Sequence, residues 1–183
     1  MNGKTDFVAQ LGLPFLAHRL RRAAETFRDG YGEWLPEAGV VAPARSLSTI
    51  LLLDEQGPSG VVEIAARIGF SHPLVIRLVR DLEAIGLVQV AKDATDGRKR
   101  AVSLTSKGRA EVERIRAACV PIAKVYDELS AEVGVDLMAM VERLEAAEAS
   151  DCFPDRLRKA VRQGSRKSAV VETMDPSKKR IRI

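Results

Sequence analysis

Two arginines stand one helical turn apart at Arg77 and Arg80, and three cations follow one another at Arg98, Lys99 and Arg100. A guanidinium is a rigid fork of donors that stays charged and meets phosphate oxygens, or the acceptor edge of a guanine, two bonds at a time. Such side chains bind polyanions. Residues suited to proton transfer or nucleophilic attack are sparse by comparison. The only histidines, His18 and His72, fall in different predicted elements, and no histidine–carboxylate spacing points to a metal site. Cys119 and Cys152 make neither a metal-ligand spacing nor a disulfide framework. No catalytic residue, metal or cofactor is therefore assigned, and the chain is read as a binding protein, not an enzyme.

The charge is unevenly spread. The net +4 of 183 residues divides into +7 for residues 155–183, with ten Lys/Arg against three Asp/Glu, and −3 for the rest. Residues 61–109 hold nine basic and five acidic side chains. Positive charge concentrated in a central segment and a tail favours a polyanionic partner, although basic tails also serve only as solubilising appendages. At 46% hydrophobic and 30% charged residues the composition is that of a globular protein. No run approaches the roughly 18 apolar residues of a membrane span, and the start, MNGKTDFVAQ, lacks the basic-then-apolar order of a secretory signal. The expected compartment is the cytoplasm, with no membrane partner.

The elements that must position these cations follow from periodicity. A helix is expected from Pro14, with Leu16, Leu20, Ala23, Phe27, Tyr31 and Trp34 in one stripe, closed by Pro36 and Gly39. A second is expected at about 43–55, ended by Gly57-Pro58 and Gly60. Short helices at about 61–68 and 72–85 flank Gly69. Two strands, Leu87–Lys92 and Ala101–Thr105, enclose the turn-rich Asp93–Gly97. Ser106 opens a long helix through Val112, Ile115, Cys119, Ile122 and Leu129, with a kink expected at Pro121. A further helix covers about 136–149. Beyond Asp151 a short amphipathic piece with Phe153, Leu157 and Val161 ends before Gly164, and a mobile tail is expected after it.

The pair of short helices has the makings of a helix-turn-helix. Ala65, Gly69, Val75 and Leu78 supply the small residue, the turn and the inner apolar positions that let two helices cross closely. Ser71 suits the N-cap of the second helix, and Pro73 fits its first turn. A wheel of that helix turns Val75, Leu78, Val79, Leu82 and Ile85 inward, and Pro73, Ile76, Arg77, Arg80 and Ala84 outward. Two outward arginines on a surface helix suit a major groove, or simply a solvated face. The hairpin that follows tips the balance. Gly97 with Arg98, Lys99 and Arg100 can reach phosphates or a narrow minor groove, and Asp96 is placed to orient Arg98.

In these residues the chain resembles the MarR family of transcription regulators. The resemblance spans about residues 14–149. It is carried by Glu63–Gly69, Ser71, Val75–Glu83, Gly86-Leu87-Val88, the Asp96–Arg100 hairpin and Leu104-Thr105-Ser106-Lys107-Gly108. It implies a mainly α fold with a small β-hairpin wing, a winged helix-turn-helix flanked by N- and C-terminal dimerisation helices. The implied organisation is a dimerisation helix at 1–40, a DNA-binding domain at 41–106, dimerisation helices at 107–150 and a basic tail at 151–183. Implied partners are palindromic double-stranded DNA, a second copy of the chain and a small aromatic effector. Ile76 stands where the family often has a small polar residue, and the arginine often found near Val90 is missing.

DNA contact is thus expected from Ser71, His72, Pro73, Ile76, Arg77, Arg80, Arg98, Lys99 and Arg100, with His72 alternatively facing solvent. His18 is either a solvated or interface histidine or part of an effector pocket. Cys119, on an apolar helical face, reads as a small buried hydrophobe, and Cys152 as the more exposed thiol. Some relatives carry an acetyltransferase domain after the winged helix, but only about thirty residues follow Ala149 here. The rival reading is a winged-helix module for protein contacts without operator binding.

Overall fold

Residues 6–92 and 100–173 are described by the computed structural model. A short helix that periodicity did not signal, α1 (Phe7–Gln10), is capped by Asp6, whose carboxylate accepts from the Val8 and Ala9 amides. Pro14 does not open the first long helix. It lies in a 3-10 turn, Leu13–Phe15, that leads into α2 (Leu16–Trp34). A second 3-10 turn, Ala44–Ser46, leads into α3 (Leu47–Gln56).

The central segment follows its sequence signals closely. α4 (Val61–Ile68) ends on Gly69, whose φ of 70° is the left-handed conformation that glycine adopts freely. The Phe70 amide bonds back to the Ala65 carbonyl at 3.1 Å and completes the turn. α5 (His72–Ala84) then buries Val75, Leu78, Val79 and Leu82. Ile85, assigned inward, is instead exposed, because α5 has already ended and the chain is turning toward Gly86, at φ 74°. Ser71 occupies the N-cap position, but its side chain makes no capping bond; its carbonyl accepts from Val75.

β2 (Val88–Lys92) and β3 (Arg100–Leu104) form an antiparallel hairpin running from Val88↔Leu104 to Lys92↔Arg100. A third strand, β1 (Ser59–Gly60), pairs with Val102 and Ala101 of β3. Two residues are too few to carry an alternating pattern, so the sequence showed only the Gly57-Pro58 break there. α6 (Ser106–Val133) continues unbroken past Pro121.

Two compact units divide the chain, one up to Lys124 and one from Val125. The first encloses a single core of Leu35, Ile50, Ile64, Val75, Leu82, Leu87, Val102 and Ile115. Its buried line on α6 passes through Glu111, Ile115 and Ala118 and continues into half-buried Ile122, at steps of three and four. Cys119 falls beside that line and is exposed, not buried as its apolar neighbours suggested. Cys152 is exposed as well.

The second unit contains the end of α6, then α7 (Leu137–Ser150), capped by the Asp136 carboxylate, and α8 (Phe153–Thr173). The helix α8 runs on through Gly164, well beyond the short piece expected. None of this unit's residues up to Gln163 is buried.

Candidate nucleic-acid interface

The joint between α5, the hairpin and α6 determines where the cations can stand. Thr105, just before α6, uses one hydroxyl twice: it donates to the Gly86 carbonyl at 2.7 Å and accepts from the Gly108 amide at 3.0 Å. Its own amide donates to the Leu87 carbonyl at 3.0 Å, and Lys107 Nζ donates to the Ile85 carbonyl at 2.7 Å. Gly108 makes this close approach possible, since a Cβ there would lie 2.0 Å from the Leu87 carbonyl oxygen. The Gly-Leu-Val and Leu-Thr-x-x-Gly motifs are thus two halves of one joint. It ties the end of α5 to the root of the hairpin.

A second clamp lies deeper. Glu111 is fully buried, and one carboxylate oxygen accepts from the amides of Val41 and Ala42 at 2.5 and 2.9 Å. Its other oxygen takes a 3.0 Å bond from Arg114. The buried charge is therefore fully hydrogen-bonded, as burial demands. It fastens the loop between α2 and α3 to α6. No sequence pattern pointed to Glu111, because its partners are backbone amides about 70 positions away.

On this frame Ser71, at the N-cap of α5, and His72, Pro73, Ile76, Arg77 and Arg80, within it, are all exposed. Among the described residues neither Arg77 nor Arg80 has an ion-pair or hydrogen-bond partner, so both guanidiniums are available to a ligand. Other arginines are engaged: Arg116 pairs with Asp54 at 2.8 Å, and Arg114 with Glu111. Arg100 is exposed at the first position of β3. Its cross-strand neighbour is Lys92, a residue the sequence reading passed over. The register alone reveals this pair. Asp96, Gly97, Arg98 and Lys99 lie outside the described residues.

His18 is exposed on α2. It does not line the cavity of about 430 Å³ bounded by Arg28, Tyr31, Arg45, Leu51, Phe70 and Leu74. That cavity reaches the first turn of α5 through Leu74. Among the described residues no group of three or more His, Cys, Asp and Glu side chains could hold a metal, and no helix is long and apolar enough to cross a membrane.

Comparison with known proteins places this geometry. The family model described as MarR family matches residues 44–99, which run from the turn before α3 to the wing. No curated protein sequence matches the chain. Among solved structures, the transcriptional regulator MosR of M. tuberculosis, determined in complex with DNA, is 28% identical with a TM-score of 0.57, over 74% of this chain and 95% of that one. CouR of Rhodococcus jostii RHA1, bound to p-coumaroyl-CoA, is 22% identical with a TM-score of 0.56, over 82% and 97%. PcaV of Streptomyces coelicolor, in complex with its natural ligand, is 18% identical with a TM-score of 0.59, over 81% and 97%. The helix-turn-helix segment thus matches the model of the MarR family, and the chain shares its fold over most of its length with these transcriptional regulators.

Proposed function

We propose that the protein binds palindromic double-stranded DNA operators as a homodimer and is released from them by a small aromatic effector. The observation that carries the reading is the pair Arg77 and Arg80, exposed and unpaired among the described residues on the outer face of α5. In this reading α5 enters a major groove, where Arg77 reads base edges. Ser71, His72, Pro73, Ile76 and Arg80 lie against the same groove or its phosphate walls. Arg98, Lys99 and Arg100, with Asp96 orienting Arg98, extend the contact to the neighbouring minor groove, and Lys92 joins them at the root of the wing. Phosphate neutralisation provides most of the affinity, and base contacts provide the selectivity.

Dimerisation is supported by apolar faces left uncovered in a single protomer. Leu16, Leu20 and Phe27 on α2 are exposed, as are Val133 on α6 and Met138, Val141 and Leu144 on α7. Apolar side chains recurring along one helix in this way, within each unit, mark an interaction surface. We assign 1–40 and 107–150 to the dimer, 41–106 to DNA and 151–183 to an auxiliary basic segment. Two recognition helices would then sit about 34 Å apart, one turn of the duplex. The reading places the protein in the cytoplasm with its DNA.

For the effector, the cavity beside Leu74 is favoured over His18. It is of suitable size, carries Tyr31 and Phe70 for ring contact and Arg45 for an anionic group, and touches α5 directly. The rival reading, a module for protein contacts alone, gives no reason for cations on both the recognition helix and the wing. Selection of bound fragments from a random duplex library tests the DNA reading, and sedimentation tests the assembly. Failure to enrich any sequence, or a well-folded monomer at micromolar concentration, would count against the respective half.

A further inference from the structure

Within α5, Ile76 is the one large aliphatic side chain left exposed, at 41%. It belongs to neither the core cluster nor the described lining of the cavity beside Leu74. Helix propensity does not call for it either, since a β-branched residue loses side-chain freedom in a helix. Packing and local structure thus leave Ile76 without a task. Its neighbours supply one. It lies one turn before Arg80, so it shares the face that carries that unpaired guanidinium, with Arg77 flanking it. A major groove presents polar acceptors and donors to such a face, and a single apolar feature: the 5-methyl group of thymine.

We propose that Ile76 reads a thymine methyl, making thymine the preferred base at one position of each half-site. The proposal rests on the reading of the protein as a DNA-binding regulator. It names the base chemistry that this chain's own recognition helix selects. Arg77 would take the acceptor edge of a neighbouring purine while the isoleucine covers the methyl and excludes water from between them. A small polar residue at this position would lose that apolar contact.

The test uses the full chain and duplexes selected from a random library. Each thymine of the enriched site is replaced singly by deoxyuridine, which removes the methyl and leaves base pairing intact. One thymine per half-site is expected to lose affinity by about fourfold to tenfold on this replacement. For I76S the same replacement should change affinity by less than about twofold. Because Ile76 is exposed, I76S should melt within about 2 °C of the parent chain, so a lost methyl effect is not a folding defect. If a sequence is enriched but every deoxyuridine is neutral, or if the penalty persists in I76S, the methyl contact is refuted and DNA binding stands. If no sequence is enriched at all, the regulator reading fails first and this inference fails with it.

Discussion

Replacing Gly108 with Ala puts the joint between recognition helix and wing under direct strain. Glycine is a poor residue inside a helix, and elsewhere Gly→Ala stabilises a helix interior by about 0.5–1 kcal/mol. The structure reverses that sign here. The added Cβ would meet the Leu87 carbonyl oxygen at 2.0 Å, its carbon at 3.1 Å and the Leu104 side chain at 3.2 Å. Relief requires α6 and the backbone at Leu87 to part by roughly 1.5 Å, because unbonded heavy atoms settle at about 3.5 Å. Neither is a flexible side-chain end, and the movement also stretches the Thr105 bonds to Gly86 and Gly108. Overpacking of about 1–3 kcal/mol, together with weakening of hydrogen bonds worth about 1 kcal/mol each, outweighs the propensity gain. The expected net loss is about 2 kcal/mol, or a fall in melting midpoint of about 4–8 °C for a chain of this length. Thermal and urea melts followed by far-ultraviolet circular dichroism measure it. A midpoint equal to or above that of the parent chain would falsify the account of the joint.

Four further outcomes are expected. Glu111→Ala should destabilise by about 2–4 kcal/mol, since the Val41 and Ala42 amides lose their acceptor, while Glu111→Gln, which keeps a carbonyl oxygen there, should cost less in urea melts. Arg77→Ala should reduce discrimination between selected and random duplexes by about 1–3 kcal/mol, whereas Arg100→Ala should weaken both alike and flatten the salt dependence by about one unit, as titrations at several salt concentrations can show. The Arg22 guanidinium bonded to Asp6 holds that carboxyl down at about 2, against an ordinary 3.8. A depressed carboxyl favours the folded contact above its unfolded value, so amide-exchange protection of Val8 and Ala9 should be complete above pH 4 and fade as pH falls toward 2. Truncation after Gly164 should lower affinity for DNA of any sequence at low salt and leave discrimination unchanged; unchanged low-salt binding would remove the tail from the interface.

Much of the frame is legible before any coordinates, and for identifiable reasons. Ala65, Gly69, Val75 and Leu78 announce the crossing of α4 and α5 because close packing and a left-handed turn admit few residue types at those places. The outward face of α5 follows from the period of 3.6, which alone separates Arg77 and Arg80 from Leu78 and Leu82. Periodicity fails where an element is short or ends early: β1 has two residues, α1 four, and Ile85 lies just past the last turn of its helix. Cys119 misled for a related reason, since an apolar stripe does not tell how wide a strip of the helix its neighbours cover.

Long-range partners were decided by the tertiary structure alone. That Glu111 is a buried clamp depends on two amides brought to it from the far side of the fold, and a lone glutamate in a helix carries no mark of them. The opposition of Lys92 and Arg100 depends on strand register, which fixes neighbours across the hairpin and is set by its turn and its buried face together. Gly108 is legible as a motif residue, but its reason, a carbonyl oxygen where a Cβ would stand, exists only once two distant segments meet. Local chemistry and periodicity reside in the order of the residues. Contacts across the chain come into being when burial of a shared core chooses among the arrangements that order allows.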